Sequence, residues 1–186
     1  MIINKLYIEW SNMMQVVNIV AMVEMENPFN MEELLTKLPG VEKTNHWVKA
    51  KIPPYNKYTA FYSSGKFLIT GIKSEQELNN VVENVVLYIK KYGIDNNIKK
   101  ININNRVLTD TLGFEVNLEK LIVKLKDYNA SYEPEVYHCL HFKDKNSITY
   151  SLFSSGKIII VGVKSLNNLE QYVNEFKALI KEKTLN

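Results

Sequence analysis

Apolar and polar residues alternate in short runs along this chain, then switch to three-and-four spacing, and the whole order occurs twice. Residues 17–23 set Asn18, Val20 and Met22 at one parity and Ile19, Ala21 and Val23 at the other. A period of two predicts a strand. Asn30 has the place of a helix cap for residues 31–38, which Pro39-Gly40 stop. A meander is predicted next, with strands at 47–52, 59–63 and 66–70, the last two joined by a tight turn at Ser64-Gly65. Ser74 then opens a long helix, with Glu77 at capping-box spacing. Leu78, Val81, Val82, Val85, Val86 and Ile89 form its apolar stripe, and Gly93 stops it.

The second half repeats that order. A strand is predicted at 103–111, and Asn117 caps a helix through Leu118, Leu121, Ile122 and Leu125. Strands follow at 137–143, 149–153 and 157–161. Ser165 opens a last helix with Leu169, Tyr172, Val173, Phe176, Leu179 and Ile180 inward. The repetition is literal in one place. Ser63-Ser64-Gly65-Lys66, continued by Gly71-Ile72-Lys73-Ser74, returns as Ser154-Ser155-Gly156-Lys157, continued by Gly162-Val163-Lys164-Ser165. The offset is 157 − 66 = 91 residues. Two copies are too few for a solenoid. They predict pseudo-two-fold symmetry, which suits a pseudo-symmetric ligand such as duplex DNA.

Antiparallel sheets with all helices on one side define an α+β class. The expected organisation is an N-terminal extension at 1–15, a first repeat at 16–94, a linker at 95–100, a second repeat at 101–182 and a tail at 183–186. Strand parity predicts which residues stand on the sheet faces away from the helices. Phe67 and Ile69, or Ile158 and Ile160, face the helices. Lys66, Leu68 and Thr70, or Lys157, Ile159 and Val161, face away, as do Asn18 and Val20, then Asn105 and Val107. A broad apolar sheet face calls for a partner. Two asparagines at equivalent places each bring a donor and an acceptor. The minor groove over A·T pairs shows only acceptors, so an apolar surface flanked by these amides suits its floor.

Composition narrows the classes. Of 186 residues, 46% are hydrophobic and 23% charged, enough for a full core and unlike a disordered chain. No apolar run approaches the roughly 20 residues of a membrane helix, and no signal peptide is evident at the start. Cys139 is the only cysteine, which points to a reducing, intracellular setting. The net charge of +3 is mildly basic, and Arg106 is the only arginine. That argues against arginine–guanine readout in the major groove. His138 and His141 stand three apart, so a strand would turn them to opposite faces and not to one metal. No nucleophile elbow, phosphate-cradling loop or carboxylate pair is present, so no enzyme and no cofactor is expected.

The motif S-S-G-K-x-x-x-T/V-G-x-K-S in both halves, the run Val17-Asn18-Ile19-Val20-Ala21 with its second copy Asn104-Asn105-Arg106-Val107, and Ser131-Tyr132-Glu133-Pro134-Glu135-Val136-Tyr137 resemble the TATA-box-binding proteins. The resemblance runs from about Val16 to Lys181. It implies a saddle, a curved antiparallel sheet with helices on the convex face, which binds and bends A·T-rich promoter DNA through the minor groove. It implies Asn18, Val20, Leu68, Thr70, Asn105, Val107, Ile159 and Val161 on the groove floor. It implies wedges at Tyr62, Tyr137 and Phe153, and phosphate contacts at Lys51, Lys66, Lys73, Lys143, Lys157 and Lys164. Glu133 and Glu135 resemble the acidic stirrup that receives transcription factor B. The implied assembly is a monomer on DNA, with a dimer of the free protein left open, in the cytoplasm of an archaeon or the nucleus of a eukaryote.

The chain also departs from that pattern. Asn18 to Lys66 spans 66 − 18 = 48 residues, whereas Asn105 to Lys157 spans 157 − 105 = 52. The first stirrup is shortened near Glu42 to His46, and no phenylalanine stands at its wedge position. Trp47 has the right parity to substitute, while Asn45 aligns better without a gap. These changes describe a divergent paralogue. They keep open a second class, a protein-interaction module that retains the fold and holds a protein partner.

Overall fold

The computed structural model describes residues 14–185; the expected extension at 1–15 therefore lies mostly outside the described residues, as does the last residue of the tail. The chain divides into two compact units. One is Asn18–Asn105; in the other, residues 14–17 group with the described residues from Arg106 onward.

The first unit is built on strands β1 (Gln15–Met25), β2 (Glu42–Lys43), β3 (Val48–Ile52), β4 (Lys57–Tyr62) and β5 (Lys66–Ile72), with helices α1 (Met31–Lys37) and α2 (Glu75–Lys91). Its antiparallel strands run in the order β2-β3-β4-β5-β1. Asn30 caps α1, its side chain accepting from the N–H groups of Glu32 and Glu33. Ser74 caps α2 by accepting from Glu77 N–H at 3.1 Å. The reciprocal arm reaches one residue further out: the Glu77 carboxylate accepts from Lys73 N–H at 2.7 Å. At the other end Ile94 N–H reaches Ile89 C=O at 3.0 Å and Gly93 N–H reaches Lys90 C=O at 2.9 Å. That is a Schellman closure.

The second unit uses β6 (Ile98–Thr111), whose residues through Asn105 group with the first unit, together with β7 (Ala130–Tyr132), β8 (Cys139–Lys143), β9 (Thr149–Phe153) and β10 (Lys157–Val163), and α3 (Leu118–Lys124) and α4 (Leu169–Leu185). Its strands run in the order β6-β10-β9-β8-β7. Asn117 caps α3 through Lys120 N–H at 2.9 Å. Asp95 to Asn97 lies between α2 and β6, whose strand begins at Ile98.

The literal repeat has a structural cause. Gly65 and Gly156 close their hairpins with φ of +77° and +80°, and their N–H groups return to Tyr62 and Phe153. A Cβ on Gly65 would lie 2.5 Å from the Asn27 carbonyl oxygen, and one on Gly156 would overlap that of Phe114. Only glycine meets both demands at once.

Three sequence expectations need correction. Ser165 does not open the last helix: its side chain accepts from Asn167 N–H at 3.1 Å, Asn168 has φ of +59°, and α4 starts at Leu169. A short hydroxyl favours such local turns as readily as a cap. The strand expected at 137–143 begins at Cys139, because Val136 and Tyr137 N–H both turn back to Glu133 C=O. Val86 is only half-buried, whereas Tyr172 and Leu179, partly buried, do pack against the core. In α4 the inward stripe includes Lys177, which is buried with Leu169, Val173, Phe176 and Ile180.

Candidate nucleic-acid interface

Cross-strand partners share a face, so register settles what each sheet presents. In the first unit Val23, Phe67, Phe61 and Val48 form one inward row and are fully buried. The next row outward joins Met22, Leu68, Ala60 and Lys49; beside it stand Thr70, Tyr58 and Lys51, and on the other side Glu24, Lys66 and Tyr62. In the second unit Ile160, Tyr150 and Phe142 are buried, whereas the next row joins the half-buried Ile159 and His141 through Ser151, which is itself buried. Val161, Thr149 and Lys143 flank it on one side, and Phe153 with Cys139 on the other. Asn18, Val20, Asn105 and Val107 are all half-buried at the open parity. The predicted floor residues of each unit thus share its open face.

A bulge fixes the Asn18 amide. Between Ile19 and Ala21 the β1–β5 register shifts by one residue, which takes one N–H off the ladder. Asn18 Oδ1 accepts that N–H, from Gly71, at 2.8 Å. Its Nδ2 lies 3.3 Å from Thr70 Oγ1. With the oxygen held by Gly71 N–H and one N–H directed to Thr70 Oγ1, the amide nitrogen retains a second hydrogen to offer. The register of β10 on β6 shifts likewise between Ile160 and Val163, beside Asn105.

The aromatic positions are held differently in the two units. Trp47 precedes Val48, so register sets it beside Tyr62. Their rings lie 6.0 Å apart, and Trp47 Nε1–H donates to the Tyr58 hydroxyl at 3.1 Å. Asn45 is exposed outside the strands. In the second unit the residue facing Phe153 across the ladder is Cys139, so the strand position of Trp47 is filled there by a thiol. Burial pushes that thiol's pKa up. Tyr137 lies two residues before β8, is 53% exposed, and stacks on His141.

Of the basic positions, Lys51, Lys73, Lys143, Lys157 and Lys164 are exposed. Lys66 is drawn to Glu24 at 3.8 Å. Glu24 also binds Lys99 at 3.0 Å. That hydrogen bond and charge hold the Glu24 carboxyl below the usual carboxylate range, with Lys66 adding to the effect. Glu24, Lys99, Tyr58 and His141 stand at the open parity without having been singled out from the sequence. Continuing the Asn18, Val20, Met22 parity by one step finds Glu24. Glu133 and Glu135 are exposed in the turn after β7, beside Val136 at 78% exposure.

Two copies of one α+β repeat, each with a helix-covered sheet face and an open one and with an asparagine at the equivalent place of β1 and β6, define the class of this protein. Residues 13–92 and 100–183 each match the family "Transcription factor TFIID (or TATA-binding protein, TBP)", and the chain belongs to it. It is 31% identical over 173 residues to the TATA-box-binding protein of Sulfolobus acidocaldarius, covering 90% of this chain and 87% of that one. It is 30% identical over 166 residues to that of Methanothrix thermoacetophila, covering 84% and 88%. The fold matches Methanococcus jannaschii TBP with a TM-score of 0.82 at 26% identity, over 91% of this chain and 99% of that one. Among the described residues no helix is long and apolar enough to cross a membrane.

Proposed function

We propose that the chain binds and bends A·T-rich, TATA-like promoter DNA through the minor groove, as a transcription initiation factor that recruits a transcription factor B-like protein. The observation that carries this reading is the Asn18 amide: Gly71 N–H occupies its oxygen and Thr70 Oγ1 accepts one N–H, so its nitrogen keeps one hydrogen to donate, beside the half-buried Val20, Leu68 and Thr70. A donor amid apolar side chains suits the acceptor-only floor over A·T pairs and not the guanine amino group. Asn105, Val107, Ile159 and Val161 would serve the second repeat in the same way. Lys51, Lys73, Lys143, Lys157 and Lys164 would meet phosphates, adding affinity and salt dependence without sequence information. Tyr62 with Trp47, and Phe153 with Tyr137, would press between base steps, unstacking offset by the added contact with a bent duplex. Glu133 and Glu135, exposed beside Val136, would receive the transcription factor.

Fluorescence anisotropy with A·T-rich and G·C-rich duplexes at two salt concentrations tests the reading. Preferential A·T binding that weakens with salt is expected, with loss on changing Asn18 and Asn105 together to Asp. No duplex binding at low salt would leave the other reading, a module that holds a protein partner. The Glu24 carboxylate on the open face and the exposed Val136 are the observations that favour it.

A further inference from the structure

We propose that His141 positions Tyr137 for insertion into the duplex, through a Ser151–His141–Tyr137 array on the open face of the second unit. The proposal rests on the minor-groove reading of that face. Tyr137 is not in a strand: its N–H turns back to Glu133 C=O at 2.9 Å, and its side chain is more than half exposed. Backbone pairing therefore does not aim its ring. His141 does have a fixed place, in the middle of β8 between Ser131 of β7 and Ser151 of β9. Its Nδ1 lies 3.1 Å from Ser151 Oγ, and Cys139 Sγ lies 3.7 Å from its Nε2. The two contacts set the plane of the imidazole. The Tyr137 ring lies on that plane, with centroids 5.6 Å apart and 19° between the rings. An offset stack of this kind is worth more than the area it covers.

His141 also shares its open row with Ile159, by way of Ser151. The platform that holds Tyr137 is thus continuous with the proposed groove floor. The first unit reaches the same end by other means. There Trp47 itself follows strand register, packs on Tyr62 and is tethered to the Tyr58 hydroxyl. Tyr137 has no such strand position, and His141 supplies the missing constraint.

The test uses the full chain and an A·T-rich duplex carrying 2-aminopurine at the steps flanking the site, whose fluorescence rises on unstacking. With the native protein a rise is expected at both flanks. His141→Ala should remove about half of the summed rise, the share of one unit, while the thermal midpoint persists. His141→Phe, which keeps a ring for Tyr137 to stack on, should restore the rise; a merely structural role would not produce that split. His141→Leu fills the space without an aromatic plane and replaces the alanine variant should that one fail to fold. A full rise with either non-aromatic variant, or no rescue by phenylalanine, overturns the proposal. Absence of any rise with the native protein overturns the minor-groove reading and this proposal with it.

Discussion

Val23 and Asp110 occupy equivalent places. Each lies across the ladder from the same position of the repeated motif, Phe67 in one unit and Ile158 in the other. Val23 is fully buried in an apolar row. Asp110 is as deeply placed but charged, and it meets the Lys177 ammonium at 2.6 Å beneath the sheet. Nearby Arg106, also buried, donates to the Lys164 carbonyl at 2.6 Å. The open faces differ in the opposite sense. Glu24 pairs across the ladder with Lys66 in the first unit, whereas Thr111 faces Lys157 in the second. One unit therefore places its acid outside, against its own lysines, and the other places it inside against a lysine of α4. Two units with the same strand connectivity can differ widely in where their charges lie, because cross-strand register constrains backbone partners and not side-chain chemistry.

The largest expected consequence concerns the buried pair. Lys177→Ala leaves Asp110 buried without this partner and should cost about 3–5 kcal/mol of stability, read by urea unfolding. Val86→Ala, 91 residues earlier on α2, should cost no more than about 1–2 kcal/mol, since it trims a half-buried apolar side chain. Equal losses would erase the contrast between the two interiors.

Next comes the amide. Asn18→Asp keeps an oxygen for Gly71 N–H but exchanges the outward donor for a carboxylate. Duplex affinity should fall by about 2 kcal/mol, roughly 30-fold, in anisotropy at fixed salt. Asn105→Asp measured beside it ranks the two units, and an unchanged affinity for both would remove the amides from the interface. A smaller effect is expected from Trp47→Ala, which dissolves the ring pair with Tyr62 and should weaken binding by about 1 kcal/mol. It should also lower the unstacking signal that His141→Ala leaves intact.

The smallest change runs the other way. Glu24→Thr gives the first unit the residue of the second and releases Lys66 and Lys99. Affinity should rise a few-fold, and the slope of log K against log salt should steepen by about one to two units as freed lysines meet phosphates. A flat response would mean that those lysines do not reach the duplex.

Much of this was legible along the chain. Asn30, Asn117 and Ser74 were readable as caps because a side chain that satisfies the N–H two or three residues on acts locally. The open face was readable from parity, which is why Asn18, Val20, Leu68, Thr70 and their counterparts do lie together. The place of Trp47 beside Tyr62 followed from the same rule. Ser165 misled because the residues after it, and not the hydroxyl itself, decide between a cap and a turn. Tyr137 and Phe153 could not be related by counting, since the backbone leaves strand geometry until Cys139.

Sequence alone determined the repeat, the alternation and the glycines at 65 and 156, for these depend on contacts within a turn or a strand. Tertiary structure decided the pairing of Asp110 with Lys177, of Glu24 with Lys66 and Lys99, and of Tyr137 with His141. Those pairs join different elements or a loop to a strand. Their partners are set by how the strands and helices pack, and no short-range period records that.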